Sequence, residues 1–424
     1  METPLTQYIK PGSLPLNAKE YEKAGGYNGV SKALKEMTPA DIIDLVKSSG
    51  LTGRGGAAFL TGLKWSLVTK DPNDPGLSYL IANADEMEPG TFKDRYLLEG
   101  NPHQLIAGMI IASYAIGAQK AYIFIRWAYK KAEARIHKAL AEAYDAGYLG
   151  KNILGTGYNL DIYMHSSAGR YICGEETALL SSLEGKRGIP RTKPPFAVTM
   201  GLFGRPSAVN NVETLCWGSH IVEKGADWFK KLSLTDEGGT KLYGVSGKVK
   251  KRGLWELPMG TPMRELIFDY AGGMQEGYKL KGFIPGGAST DFMIESHLDT
   301  KLDFASVVAT GSRLGTGTLV ILDDRTCPVA FIHNLIKFFA DESCGWCTPC
   351  REGLPWVEKI LVSFEQGTAR FEDMDILEFH THYMAPGKTF CAHAPGAMEP
   401  LQSGLKYFRE DFLRHINEKK CPWR

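Results

Sequence analysis

Apolar and polar positions alternate along this chain in two different rhythms. From Leu77 to Gly185 short apolar runs and helical stretches take turns. Leu77–Ala82 reads as a strand ending in the acidic turn Asn83-Ala84-Asp85-Glu86, and Gln104–Ile116 carries helical periodicity. The β-branched and aromatic run Ala121–Ile125 predicts a second strand, Ala128–Ala146 a polar-faced helix, and Leu160–Met164 a third strand. A glycine-punctuated loop, Gly169 to Gly174, leads into a helix over Glu175–Leu183. Such alternation predicts an α/β layer with mostly parallel strands.

From Leu242 to about Arg325 the rhythm changes. Short strands, glycine pairs (Gly272-Gly273, Gly286-Gly287) and one helix at Pro262–Ala271 predict a small α+β domain of β-grasp (ubiquitin-like) type. After Pro328 the pattern turns helical, with Val329–Phe339 and Leu354–Glu365 flanking three cysteines. The expected domains are 1–238, an N-terminal segment with a Rossmann-like α/β domain, then 239–326, the β-grasp domain, and 327–424, a helical domain. No internal repeat or low-complexity linker is visible.

Composition narrows the function classes. The 424 residues are 43% apolar and 23% charged, an ordinary globular balance, and the net charge is +1. No chain-wide basic field argues for nucleic acid or anionic lipid. The run Lys248-Val249-Lys250-Lys251-Arg252 is short and reads as a solvated strand or turn face. The amino terminus shows no secretory signal. The longest apolar stretch, Leu105 to Ala118, is shorter than the roughly 20 residues a bilayer span requires, so it predicts a buried helix and no direct membrane span.

The cysteines carry the strongest chemical signal. Three of the eight sit together at Cys344, Cys347 and Cys350 in Ser-Cys-Gly-Trp-Cys-Thr-Pro-Cys-Arg, and Cys173, Cys216, Cys327, Cys391 and Cys421 are scattered. That pattern fits a reducing compartment and a metal site rather than a disulfide framework. Two-residue spacers let three thiolates wrap one face of an iron–sulfur cube, and Cys391 closes the fourth corner. A structural zinc site is the alternative, kept open by His380, His382 and His393.

Three further segments are candidates for ligand binding. Gly53-Arg54-Gly55-Gly56-Ala57-Ala58-Phe59 formally matches the dinucleotide fingerprint, but it follows an expected helix (Asp41–Ser48) instead of a strand. It is therefore not an ordinary Rossmann turn. Its glycines, with Arg54 and Lys64, could still let backbone approach a phosphate or flat ring, or could form only a turn. The acidic turn Asn83-Ala84-Asp85-Glu86-Met87-Glu88-Pro89-Gly90 lies beyond a strand, where α/β sheets bind ligands, although a solvated turn would look the same. In Gly169-Arg170-Tyr171-Ile172-Cys173-Gly174-Glu175-Glu176-Thr177 the paired acids suit either a ligand or a helix dipole.

Taken in order, these segments resemble the NADH-binding flavoprotein subunits of respiratory complex I. The matches run from Gly53-Arg54-Gly55-Gly56 through the acidic turn and Tyr171–Leu179. They continue through Lys193-Pro194-Pro195-Phe196 and Asn210-Asn211-Val212-Glu213-Thr214 to the cysteine triplet and Cys391, about residues 50 to 400. The resemblance implies FMN held by Gly53, Arg54, Gly55, Gly56, Lys64, Asn83, Asp85, Glu86, Tyr171, Gly174, Glu175, Asn210 and Asn211. It implies NADH on Phe59, Glu88, Glu176, Lys193 and Phe196, and a [4Fe–4S] cluster on Cys344, Cys347, Cys350 and Cys391. The implied chemistry is hydride transfer from NADH to FMN, then single electrons to the cluster. No side-chain acid or nucleophile is required, and Glu86 and Glu88 lie near the ring. One departure stands out: Met87 occupies a position where the family usually has serine.

The resemblance further implies a thioredoxin-like [2Fe–2S] subunit and the large iron–sulfur subunit of the peripheral arm as partners. Quinone is reached indirectly, and the expected location is the cytoplasmic face of the inner membrane, through the complex. A diaphorase subunit of an NAD-linked hydrogenase or formate dehydrogenase is the nearest rival. Those relatives often carry additional extensions, and the start of this chain near the flavin module and its end near the cluster favour complex I. A zinc-stabilised binding module without turnover is the rival of a different class.

Overall fold

The computed structural model describes residues 2–69 and 78–424. The chain divides into two compact units. Met1–Met87, Phe92–Leu242 and Glu256–Gly260 form the first, and Glu88–Thr91, Tyr243–Trp255 and Thr261–Arg424 form the second.

The first unit is built on a four-stranded sheet of β1 (Ser78–Ala84), β2 (Ala118–Ile125), β3 (Asp161–Ser166) and β4 (Ser207–Asn211), in the order β3-β2-β1-β4. Every recorded pairing is parallel, as the alternation predicts. Leu77, the expected first residue of β1, lies outside the described residues. The chain adds β2 and β3 to one side of β1 and then returns to place β4 on the other. That reversal makes the carboxyl ends of β1 and β4 a topological switch point, where α/β sheets open a crevice. In the register Ala82 faces Asn210 and Asn83 faces Asn211.

The expected buried helix runs from Pro102 to Ile116, and all its residues but Tyr114 are buried. It crosses the Val212–Lys224 helix at backbone contact: a Cβ on Gly108 would come within 1.9 Å of the Leu215 carbonyl oxygen. Glycine is therefore required there. Lys130–Asp145 is amphipathic as expected and buries Ile136, Ala139 and Leu140. The segment before the glycine loop is a helix, Pro39–Ser49, opened by a Thr38–Asp41 capping box and closed by Gly50 in the left-handed region.

The second unit contains most of a mixed sheet of β5 (Thr240–Ser246), β6 (Gly253–Pro258), β7 (Leu280–Ile284) and β8 (Thr318–Asp323), in the order β6-β5-β8-β7. Strand β8 runs parallel to β5 and antiparallel to β7. The helix expected over Pro262–Ala271 is shorter than predicted. One turn, Met263–Glu265, passes into a wider turn at Leu266–Tyr270. The Lys248–Arg252 run is an exposed turn with only Val249 buried. Helices Pro328–Glu342, Thr348–Glu365, Phe371–Tyr383, His393–Tyr407 and Arg409–Glu418 complete the unit. Among the described residues no helix is long and apolar enough to cross a membrane.

Candidate functional site

The switch point of the first sheet gathers much of the predicted set. Asn83, at the end of β1, donates its side-chain amide to the Gly174 carbonyl at 2.9 Å. Its Oδ1 accepts the Asp85 N–H at 3.2 Å, which bends the chain away from the strand. Asp85 is buried and accepts from the Ser167 hydroxyl at 2.8 Å. Across the register, Asn210 Oδ1 accepts from Trp65 Nε1 at 3.0 Å, and Asn211 caps the following helix through the Glu213 N–H at 3.0 Å. Three segments far apart in sequence, the acidic turn, Gly174 and the two asparagines, are thus tied to the ends of adjacent strands.

The glycine loop closes on itself beside Asn211. Thr52 and Leu60 form an antiparallel bridge, and the Gly53 N–H donates to the Phe59 carbonyl at 2.8 Å. A Cβ on exposed Gly55 would come within 3.2 Å of Asn211 Cβ, so the absence of a side chain leaves room over the asparagine. Arg54 turns the other way. It is fully buried, with Nη1 on Thr52 Oγ1 at 2.7 Å and Nη2 on the Gly238 carbonyl at 3.0 Å. Lys64 is held by the Val209 carbonyl at 3.0 Å and Glu176 Oε1 at 3.4 Å.

The two adjacent glutamates have separate jobs. Glu175 is the N-cap of Glu176–Leu183, its Oε2 accepting from the Thr177 and Ala178 N–H groups at 2.8 and 2.9 Å. Its other oxygen meets Lys193 Nζ at 3.1 Å. Glu176 makes no such cap and instead faces Lys64 and, at 4.0 Å, Lys193. Tyr171 and Gly174 bound the short turn before this cap. Phe59 and Phe196 are 46% and 56% exposed, leaving two aromatic faces in water.

Glu86 differs from its neighbours in the acidic turn. Its carboxylate is buried and accepts the Asp94 and Arg95 N–H groups at 2.9 and 3.1 Å, capping Lys93–Gly100, and the Tyr129 hydroxyl at 3.0 Å. Its carbonyl accepts from Arg126 at 3.0 Å and Tyr129 at 3.2 Å. Burial and the nearby Asp94 carboxylate push its pKa up, against Lys93 and the two N–H donors. Half-buried Met87 thus follows a peptide whose carbonyl is already fastened. Glu88 belongs to the second unit, where its Oε1 accepts the Ser289 N–H at 2.7 Å.

Behind Asn211 lies a buried charge network that sequence reasoning missed. Lys93 Nζ sits 2.7 Å from Asp94 and 3.0 Å from Glu213, and Lys241 reaches Glu213 at 3.3 Å. Burial opposes the charge on Lys93, but Asp94 and Glu213 outweigh it and raise its pKa. Burial, with Lys93 and Arg54 close by, pushes Lys241 down despite Glu213. Asn211 joins the network, accepting from Lys93 at 3.2 Å and donating to Asp94 at 2.6 Å. Single charges in helices and strands carry no spacing that could have announced it.

In the second unit the cysteine triplet occupies the turn between Pro328–Glu342 and Thr348–Glu365, with Cys347 as N-cap and Cys350 in the first helical turn. The Ser343 hydroxyl lies 3.1 Å from Cys350 Sγ, and the Phe390 N–H, one residue before Cys391, donates to Cys347 Sγ at 3.2 Å. The fourth cysteine's segment is thereby brought to the triplet. Burial pushes the Cys350 thiol up to about 11, and Cys344 and Cys347 add to the rise. Cys347 also lines a cavity of about 320 Å³ with Trp346 and Gly387–Phe390. Of the histidines that kept zinc open, His393 bonds the Phe339 carbonyl at 2.7 Å, and His380 meets the Trp356 ring edge to face at 4.8 Å.

Comparison with known proteins shows the family. Residues 46–217 match the Nuo51 FMN-binding domain, and 330–415 match the NADH-ubiquinone oxidoreductase-F iron-sulfur binding region. The chain is 53% identical to the F subunit of NADH-quinone oxidoreductase from Escherichia coli over 415 residues, covering 98% of this chain and 93% of that one. The Salmonella typhimurium protein of the same name gives the same figures. The chain belongs to the family of NADH-quinone oxidoreductase F subunits. The Mycobacterium tuberculosis member is 46% identical over 432 residues, with 99% and 96% covered. Among solved structures, an NAD⁺-reducing [NiFe]-hydrogenase in the H2-reduced state matches with a TM-score of 0.82 at 33% identity, over 99% of this chain and 67% of that one. The family carries an FMN-binding domain and a 4Fe-4S region, so the flavin and cluster expectations hold and the zinc-stabilised binding module without turnover is set aside.

Proposed function

We propose that this chain is the NADH-oxidising subunit of a quinone-reducing respiratory complex, accepting hydride from NADH and releasing electrons singly. The observation that carries the reading is the switch point between β1 and β4, where Asn83, Asp85, Gly174, Asn210 and Asn211 meet beneath the bare backbone of Gly55. These residues fit FMN: amide and carboxylate edges suit a ring's polar rim, and Lys64 supplies a cation nearby. Bound FMN supplies the conversion of a two-electron hydride step into one-electron steps. Gly53, Arg54 (through its backbone), Gly56, Tyr171 and Glu175 complete the proposed flavin residues, with Glu86 shaping the turn.

Phe59 and Phe196 offer stacking faces for the nucleotide, and Glu176 accepts hydrogen bonds from its ribose hydroxyls. Lys193, 3.1 Å from Glu175, balances the acids and attracts the pyrophosphate. Glu88 is the remaining proposed nucleotide residue. Cys344, Cys347, Cys350 and Cys391 would hold the [4Fe–4S] cluster through their thiolates, and the cluster would supply a one-electron acceptor. The mixed sheet β6-β5-β8-β7 serves as a β-grasp domain between 239 and 326, and the helices of 327–424 form the cluster domain. The partners are a thioredoxin-like [2Fe–2S] subunit and the large iron–sulfur subunit of the arm, on the cytoplasmic face of the membrane.

The purified chain should show flavin absorption over broad iron–sulfur absorption and should oxidise NADH with an artificial acceptor. A colourless preparation that contains zinc and no iron would overturn the reading. Reconstitution with the partner subunits separates quinone reduction from hydrogenase or formate dehydrogenase chemistry.

A further inference from the structure

Three residues scattered through the sequence meet in the second unit, away from the cysteine triplet in the chain. Cys327 is the N-cap of Pro328–Glu342, His415 lies on Arg409–Glu418, and Cys421 follows that helix. All three are buried, at 6%, 0% and 4% exposure. Their two sulfurs and one ring nitrogen lie within 4.8 Å of one another, the only such group of metal-binding atoms among the described residues. We propose that Cys327, His415 and Cys421 form a second metal site that takes a zinc-class divalent cation as two thiolates and one imidazole.

The geometry supports a shared ion. Cys327 Sγ and His415 Nε2 are 3.4 Å apart. Zinc–sulfur and zinc–nitrogen bonds of about 2.3 and 2.0 Å at a tetrahedral angle place those atoms about 3.5 Å apart. The imidazole is also set for ligation. His415 Nδ1 lies 2.6 Å from the Asp411 carbonyl, which keeps the proton on that nitrogen and turns the Nε2 lone pair toward the sulfur. The Trp423 ring stacks on His415 at 5.8 Å and 19°, fixing the plane of the imidazole.

The chemistry is consistent with burial. Two thiolates balance a divalent cation, so the occupied site is electrically neutral, whereas bare thiolates there would be costly. Soft sulfur ligands with imidazole select zinc over hard cations, and water is left to fill the fourth corner. A disulfide between Cys327 and Cys421 is the competing use of these sulfurs, but it gives the oriented imidazole nothing to do. The ion fastens His415 and the turn after it to the start of the helix that leads into the cysteine triplet.

The test is metal analysis of the full chain carrying its flavin and full iron complement, so that zinc cannot be occupying the cluster site. About one zinc per chain is expected, with two sulfurs near 2.3 Å and one nitrogen near 2.0 Å in its X-ray absorption spectrum. Cys421→Ser and His415→Gln should lower the zinc content at least about fivefold with iron and flavin unchanged. His415→Cys, which restores a ligand, should keep zinc, so a poorly folding variant does not decide the matter. Less than one tenth of an equivalent after incubation of the reduced protein with zinc chloride would overturn the site. So would zinc that survives His415→Gln, or a Cys327–Cys421 disulfide found by mass mapping of the freshly purified protein.

Discussion

Lys64 and Glu176 face each other at 3.4 Å while the neighbouring Glu175 spends its Oε2 on capping the helix. That division of labour settles an ambiguity inherent in two adjacent acids at a helix start. The dipole and the free N–H groups are served by Glu175, and the Glu176 carboxylate is free of that duty.

Glu176→Gln should therefore change nucleotide choice without unfolding the helix. A carboxylate accepts from both hydroxyls of the adenosine ribose, and the 2′-phosphate of NADPH would set negative charge against it. The ratio of kcat/KM for NADPH to that for NADH should rise at least about tenfold, roughly 1.4 kcal/mol. Glu175→Gln is the contrast. It weakens the cap by about 1 kcal/mol and should lower both efficiencies together. An unchanged ratio in Glu176→Gln removes Glu176 from the nucleotide site.

Cys347→Ser tests the cluster. Serine oxygen is a hard, poor substitute for a soft thiolate, and it also loses the Phe390 N–H···Sγ contact of 3.2 Å. The low-temperature EPR signal of the reduced cluster should disappear or fall severalfold, while FMN content holds because the flavin residues proposed above lie in the first unit. A full-strength cluster signal from this variant means that another side chain is the ligand.

What could be read in advance followed the range of the interactions involved. Parallel alternation exposed β1, β2 and β3 because their cores are continuous apolar runs. β4 escaped because Ser207-Ala208-Val209-Asn210-Asn211 is short and half polar, being chosen at its end for the site. The cysteine triplet was legible because its thiols are neighbours in sequence. Arg54 was not: beside three glycines it looks like a phosphate ligand, yet the fold turns its guanidinium to Thr52 and Gly238. Cys327, His415 and Cys421 are brought together only by the packing of helices 88 residues apart in sequence.

Glu213 makes the next prediction. It is fully buried and serves Lys93 at 3.0 Å, Lys241 at 3.3 Å and the Leu242 N–H at 2.9 Å. Lys93 keeps Asp94 if the charge is removed, but Lys241 loses its anion in a dry site. Glu213→Gln should destabilise the first unit by about 3–5 kcal/mol, measured by urea unfolding with buried Trp65 and Trp217 as fluorescent reporters. Adding Lys241→Met should recover part of the loss, since it removes a buried amine left without its carboxylate partner. A loss below about 1 kcal/mol would mean that water relaxes the network.

Acid destabilises the first unit through His220. His220, on the Val212–Lys224 helix, is buried, and Gln104 Nε2 lies 2.9 Å from its Nε2, donating to a neutral imidazole. Burial, with Lys224 nearby, pushes its pKa down to about 4 from the ordinary 6.5. Above about pH 7.5 neither folded nor unfolded chain holds much proton on this ring, so it contributes little pH dependence there. As pH falls from about 7.5 through 6.5 toward 4 the unfolded chain binds a proton that the folded chain refuses, and stability is lost. By about pH 5 the loss amounts to about 2 kcal/mol relative to about pH 7.5. His220→Gln can accept the Gln104 amide hydrogen bond on its side-chain oxygen but cannot titrate. Its stability should therefore fall less than that of the parent between about pH 7.5 and 5, by about that amount, in urea unfolding at the two pH values. Parallel losses in the two proteins would show that His220 is protonated in the folded chain and that acid acts elsewhere.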